Sequence, residues 1–382
     1  MTKALHDLFS TPNAPPVRRF YWVDVVRGCA ALAILVWHYQ HFYFQTAGRN
    51  PIVYDRDVQP LHSLLWIFYE EGYFAVQLFW VISGFVFASV YAAKPASGRE
   101  FFLNRFARLY PLHFATLLIV AGLQTLSFLL QNEYQIYPNN DAYHFVLNLF
   151  FVSHWGFEEG DSFNAPIWSV SVEVFIYIVF WLVHRWLFKR GMLGPALLTA
   201  AFGLLFVLKI PGRFWECGFL FFLGTMTYVW IAHIRDRGYL SSGPALVALV
   251  LSSYILIREV EGLGDITRAI FFVSLIVFAA ALDLRDSRQH GSKVSWVGDI
   301  TYSLYLLHVP VQIAVLLMMD GFGINRSIVA SPVFLLTFIV SMILIAQASY
   351  RWFELPMRQW IRQSFKRKSE PLSWQRVELS KD

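Results

Sequence analysis

The sequence predicts an all-α integral membrane protein of ten transmembrane helices with both termini in the cytoplasm. Three observations predict it. Of 382 residues, 57% are hydrophobic and only 15% charged, against about 45–50% and about 25% in a typical soluble domain. Ten windows are long and apolar enough to cross a hydrocarbon core of ~30 Å. The basic residues also alternate between the two sides of those windows as the positive-inside rule requires.

The same composition excludes several classes. Aromatics make up 18% of the chain and mean hydropathy is +0.47, so a disordered, collagen-like or disulfide-stapled chain is ruled out. A soluble enzyme could not hide this much apolar side chain. The two cysteines, Cys29 and Cys217, lie in apolar stretches without paired spacing, so they read as small hydrophobes rather than a disulfide or metal site.

The windows fall at 22–44, 70–93, 110–130, 167–188, 193–210, 214–234, 243–258, 267–283, 300–319 and 331–352. Polar punctuation such as Lys189-Arg190-Gly191 and Arg285-Asp286-Ser287-Arg288 separates them. The apolar segment 145–152 is too short to cross and reads as interfacial. Ser83-Gly84-Phe85 is expected to break the second span and Trp352-Phe353-Glu354-Leu355-Pro356 to end the last. The chain then divides into an N-terminal tail (1–20), a membrane domain (21–356) and a basic C-terminal tail (357–382).

With the N-terminus inside, 23 of the 31 Lys and Arg fall on the cytoplasmic side, 7 on the outer side, and Arg27 lies within the first span. The net charge of +5 is therefore a topology signal with anionic-lipid contact, not a nucleic-acid footprint. Residues 1–20 are polar and contain Pro, so no cleavable signal is expected. The longest extramembrane stretch, 131–166, is acidic and aromatic (Glu158, Asp161, Tyr137, Trp155) and is the natural outer recognition surface.

Ionisable residues at membrane depth are expensive and by default functional. In the first span Asp24, Arg27 and His38 fall within about 60° on one helical face. Asp24 and Arg27, three apart, can pair and neutralise each other. His38 lies about 20 Å further along, where an imidazole in a protein-lined cavity makes a general base; a structural His above an interfacial ion pair is the plainer alternative. Arg105 and Arg108, at the inner mouth of the third span, form one cationic face suited to a phosphate or diphosphate, or else anchor topology. Glu173 opens the fourth span one turn beyond Ser169 and enters an apolar run, where an unpartnered carboxylate is penalised; it either bridges helices or serves the site. Thr301 and His308 share a face of the ninth span, with Pro310 placed to kink it.

Taken together, these segments resemble the acyltransferase-3 family of bacterial membrane O-acyltransferases. Six pieces carry the resemblance, in order over residues 20–356: Asp24-Val25-Val26-Arg27-Gly28 with Trp37-His38; Phe79-Trp80-Val81-Ile82-Ser83-Gly84-Phe85; Arg105-Phe106-Ala107-Arg108-Leu109-Tyr110-Pro111; Trp168-Ser169 with Glu173; Tyr302 through Pro310; and Glu354-Leu355-Pro356. Thr301 stands where the family often has Ser, which keeps the hydroxyl. The resemblance implies O-acylation, usually O-acetylation, of a carbohydrate such as lipopolysaccharide, peptidoglycan, exopolysaccharide or a Nod factor, or in some relatives a macrolide. It implies a bacterial inner-membrane location. Many relatives with outer-wall substrates carry a second, secreted esterase-like domain; with the sequence ending shortly after the last span, the stand-alone type is expected here. The resemblance makes His38 the catalytic base or acyl relay, with Asp24, Arg27 and Glu173 in support. Arg105 and Arg108 become contacts for a donor, acetyl-CoA or another acyl-CoA, with Tyr302 and His308 lining the site. No metal is called for. The competing reading is a multi-span transporter or flippase in which the same charges form a substrate path. It predicts half-symmetry that the sequence does not display, and a purely structural scaffold leaves His38 unexplained.

Overall fold

The computed structural model describes residues 19–44, 58–93, 97–236, 242–257, 264–286 and 289–367. In a bilayer every backbone polar group must be satisfied within the segment, so apolar runs of this length become helices. In order they are α1 (Tyr21–Trp37) with a 3₁₀ turn His38–Tyr43, α2 (His62–Glu71), a 3₁₀ turn Gly72–Phe74, α3 (Ala75–Tyr91), α4 (Gly98–Gln131), α5 (Ala142–Leu149), α6 (Ile167–Lys189), α7 (Leu193–Val207) and α8 (Phe214–Asp236). They continue with α9 (Ser242–Ile257), α10 (Gly264–Arg285), α11 (His290–Val294), α12 (Trp296–Asp299), α13 (Thr301–Gly321), α14 (Pro332–Ser349), a π turn Tyr350–Glu354 and α15 (Leu355–Arg367).

Eight of these units, α2 with α3 and α14 with α15 each counting as one, are long and apolar enough to cross a membrane. The other two of the ten expected spans are α7, with 15 residues, and α9, with 16. At 1.5 Å per residue they reach about 22–24 Å, short of a ~30 Å core. Exposed apolar side chains such as Leu129, Leu182, Val207 and Val333 form the lipid-facing surface.

Several boundaries differ from the sequence expectation. Most of the two expected tails, 1–18 and 368–382, lies outside the described residues, and α15 runs without a break across the expected boundary at 356. The last span does not end at Glu354. It passes through the π turn, and Glu354 is buried, its Oε2 accepting from Ser303 Oγ at 3.0 Å. The second span does not break at Ser83-Gly84-Phe85 either; the interruption is the 3₁₀ turn before Ala75. Gly84 instead permits a close crossing. A Cβ there would stand 1.7 Å from the Phe221 carbonyl oxygen on α8, and one at Gly224 would stand 1.9 Å from the Val81 carbonyl. Small residues at helix crossings let backbones approach this closely.

Arg105 and Arg108 lie inside a continuous 34-residue α4 rather than at its mouth. The segment 145–152 is largely α5, eight residues long and too short to cross. Cys217 is buried as expected, whereas Cys29 lies on the exposed side of α1.

Candidate functional site

Among the described residues, α1 borders two cavities. Arg27 lines the first and His38 the second. Their separation of eleven positions spans about 16 Å along the axis, so the cavities lie one above the other.

The first cavity, about 110 Å³, lies at the basic end. Its polar lining comes from Arg27, Arg105, Arg108, Glu173, Thr301 and Tyr302, with Ser83 and Tyr177 beside Glu173. Asp24 does not line it. Its carboxylate pairs with Arg27 at 3.0 Å and with Arg19 at 2.7 Å, which balances charge at the start of α1. Arg27 also donates to the Gly298 carbonyl at 2.6 Å, and Arg19 reaches Asp299 at 2.6 Å. The i,i+3 pair read from the sequence is therefore present and is part of the α1–α12 packing. Arg105 sits 4.7 Å above the Phe87 ring, a cation–π contact. Its Nε and the Oε1 of Glu173 are buried with no protein partner. Buried polar atoms are normally hydrogen-bonded, so such exceptions require an explanation. Tyr302 is committed elsewhere, donating to the Leu109 carbonyl at 2.7 Å, which ties α13 to α4.

The second cavity, about 140 Å³, lies at the opposite end. It is lined by His38, Trp37, Tyr73, Trp168 and Arg213, with Tyr137, His154 and Asp161 from the loop 132–166. His38 Nδ1 lies 3.0 Å from the Ile34 carbonyl. A carbonyl only accepts, so this nitrogen carries the hydrogen and Nε2 keeps its lone pair, the tautomer following from the network. The His38 ring packs against His308 at 4.5 Å and Trp37 at 4.6 Å between centroids. Gln312 locks the turn: its amide donates to the His38 carbonyl at 2.9 Å and its oxygen faces His41 Nδ1 at 2.9 Å. Tyr137 then donates to His41 Nε2 at 3.1 Å. His308 thus stands beside His38, away from the arginine cavity where the sequence had grouped it with Arg105, Arg108 and Tyr302. His308 Nε2 is buried without a partner.

At the rim, Arg213 lies 4.6 Å above the Trp168 ring and donates to the Tyr73 hydroxyl. His154 Nε2 approaches Asp161 at 3.7 Å. Burial in the loop lowers the His154 pKa, with Asp161 opposing the shift.

One side chain borders both cavities. Tyr305 lines both; its hydroxyl donates to the Pro166 carbonyl at 2.6 Å and lies 2.8 Å from Ser169 Oγ. A second contact adjoins it. Pro310 has no N–H, so the Leu306 carbonyl four residues earlier loses its helical donor. Asn164 Nδ2 supplies the replacement at 2.9 Å. The proline read as a kink therefore creates the acceptor that docks the 161–166 segment onto α13. Tyr305 and Asn164 had no role in the sequence reading. Their partners lie 136 to 142 residues away, beyond any local pattern.

Among the described residues, no group of three or more His, Cys, Asp or Glu converges on a possible metal position.

A family model described as an acyltransferase domain matches residues 20–351. Protein 2 in picA locus of Rhizobium radiobacter is 37% identical over 111 residues, 28% of this chain and 47% of its own. O-acetyltransferase OatA of Staphylococcus aureus is 23% identical over 348 residues, covering 75% of this chain and 53% of its own. Acyltransferase MdmB of Streptomyces mycarofaciens is 36% identical over 117 residues, 30% of this chain and 29% of its own. The chain spans about half the length of the first two of these curated relatives or less. No solved structure matches.

Proposed function

Since the chain belongs to the acyltransferase-3 family, we propose that it is a membrane O-acyltransferase. It moves an acyl group, acetyl in the first instance, from acyl-CoA to a hydroxyl of a surface or lipid-linked carbohydrate. The observation that carries this reading is the pair of stacked cavities bordered by Tyr305, one lined by guanidiniums and the other by a His with a free Nε2. The basic-end cavity faces the cytoplasm, as the distribution of Lys and Arg supports, and the termini lie on that side. The protein sits in the bacterial inner membrane, and the loop 132–166 receives the acceptor.

In this reading Arg105 and Arg108 hold the anionic donor at the cytoplasmic end. Asp24 and Arg27 fix α1 so that His38 faces the acceptor. His38 Nε2 takes the acceptor's hydroxyl proton as the oxygen attacks the thioester carbonyl. The C–O bond forms, the C–S bond breaks with its electron pair going to sulfur, and the proton passes from His38 to the departing thiolate. Glu173 and His308 border the path on either side of Tyr305. General-base catalysis contributes about 10²–10⁴-fold.

The test is transfer of label from acetyl-CoA to surface glycans by membranes containing the wild type or His38→Ala. Transfer by the wild type and a loss of at least about a hundredfold in the variant are expected. Undiminished transfer by His38→Ala would refute the base. Movement of intact glycan without labelling would favour a transporter.

A further inference from the structure

Arg105 and Arg108 project from the first third of α4, and α15 runs beside that stretch, where Arg99 donates to the Phe365 carbonyl at 3.0 Å. Arg358 and Arg362 stand one turn apart on α15 and so share a face. α15 packs along α4, and Arg358 lies within electrostatic reach of Arg108 and Arg105, with Arg362 one turn further along α15. The π turn Tyr350–Glu354 sets this register. One extra residue in a turn rotates everything after it by about 100° relative to an uninterrupted α-helix.

The Nε atoms of Arg105, Arg358 and Arg362 are each buried without a hydrogen-bond partner. Among the described residues no carboxylate forms an ion pair with any of them or with Arg108. Glu354, whose carboxylate accepts from Ser303, also lies within electrostatic reach of Arg108 and Arg358, and Glu173 within that of Arg105 and Arg108. Four guanidiniums against two carboxylates leave a net positive charge at the helix junction, and desolvated donors without a partner cost free energy. A ligand with several anionic oxygens removes both penalties.

We propose that Arg358 and Arg362 complete, with Arg105 and Arg108, a binding site for a polyphosphorylated anion. The diphosphate end of the donor fills it while the acyl end enters the cavity beside Glu173. This assignment rests on the acyl-CoA reading above and adds to it the C-terminal helix as half of the donor site. An anionic lipid headgroup offers similar oxygens but a single charge. Two guanidiniums lining the cavity and two more on the neighbouring α15 suit a ligand with several.

The experiment is calorimetric titration of coenzyme A into the full-length protein, purified in detergent free of anionic lipid. It compares the wild type with Arg358→Gln, Arg362→Gln and the double variant. Arg351→Gln, which removes an exposed charge on the same stretch, is the control. We expect Kd to rise about tenfold for each single substitution, and further in the double variant, from loss of a charge-assisted contact. Arg351→Gln should leave Kd unchanged, and thermal melting should show all variants folded. Wild-type affinity in the double variant overturns the proposal, as does an equal loss in Arg351→Gln. Unchanged coenzyme A affinity with lost stabilisation by phosphatidylglycerol would assign the arginines to a lipid headgroup instead. If the wild type binds no coenzyme A, the donor reading itself fails.

Discussion

The Tyr305 hydroxyl lies 2.8 Å from Ser169 Oγ and 2.6 Å from the Pro166 carbonyl, and the same side chain borders both cavities. Tyr305→Phe keeps the ring but removes both hydrogen bonds, each worth about 1 kcal/mol. The expected outcome is acyl transfer reduced about tenfold, with acyl-CoA hydrolysis rising relative to transfer as water passes the loosened ring. The ratio of free acetate to acylated product checks this. An unchanged ratio would show that Tyr305 does not separate the two cavities during turnover.

Asn164→Ala should strand the Leu306 carbonyl inside the protein. Leaving a buried acceptor unsatisfied costs about 1–3 kcal/mol. Because the same contact docks the acceptor loop, the Michaelis constant for the acceptor should rise with little change in that for the donor. Thermal melting in detergent and steady-state kinetics with each substrate varied separate the two effects. Asn164→Asp, which offers the carbonyl no amide donor, should behave like the alanine variant.

Gly84→Ala places a methyl group 1.7 Å from the Phe221 carbonyl oxygen, so α3 and α8 must move apart. Overpacking of this kind costs about 1–3 kcal/mol or more. Gly122→Ala, where an added Cβ meets nothing within 4 Å, is the control and should be neutral or slightly stabilising from helix propensity. Comparable melting of the two variants would show that the crossing is not tight.

Asp141 caps α5, accepting from the His144 amide at 2.8 Å, and that hydrogen bond lowers its carboxyl pKa. A depressed carboxylate contributes stability that is present above its unfolded pKa and is lost as pH falls through the folded value. Asp141→Ala should therefore be about 1 kcal/mol less stable than wild type near neutrality. The gap should close as the pH is taken below the usual carboxylate range. Melting temperatures recorded against pH test the sign, and a gap that widened in acid would contradict it.

Each feature legible in the sequence was local. The Asp24–Arg27 pair depends only on a spacing of three, and the membrane class only on runs of apolar residues. The positions of Arg105 and Arg108 along one helix face were legible for the same reason. Where the reading failed, a local rule met a distant partner. Gly84 looked like a helix breaker until the Phe221 carbonyl supplied a reason for a missing side chain. Glu354-Leu355-Pro356 looked like a stop, but a π turn carries the helix onward and buries Glu354 against Ser303.

By itself, then, the sequence determined the solvent in which this chain folds, the order of its helices and the identity of most polar groups at membrane depth. Hydrophobic burial and helical periodicity are short-range and additive, so both can be read along the chain. Only the tertiary structure decided that His308 packs against His38 beside one cavity while Arg27, Arg105 and Arg108 line the other, with Tyr305 bordering both. It also decided that α15 packs along α4 and brings Arg358 near Arg105 and Arg108. These facts depend on the angles and depths at which helices cross, and those are fixed by side chains meeting across more than a hundred residues of sequence.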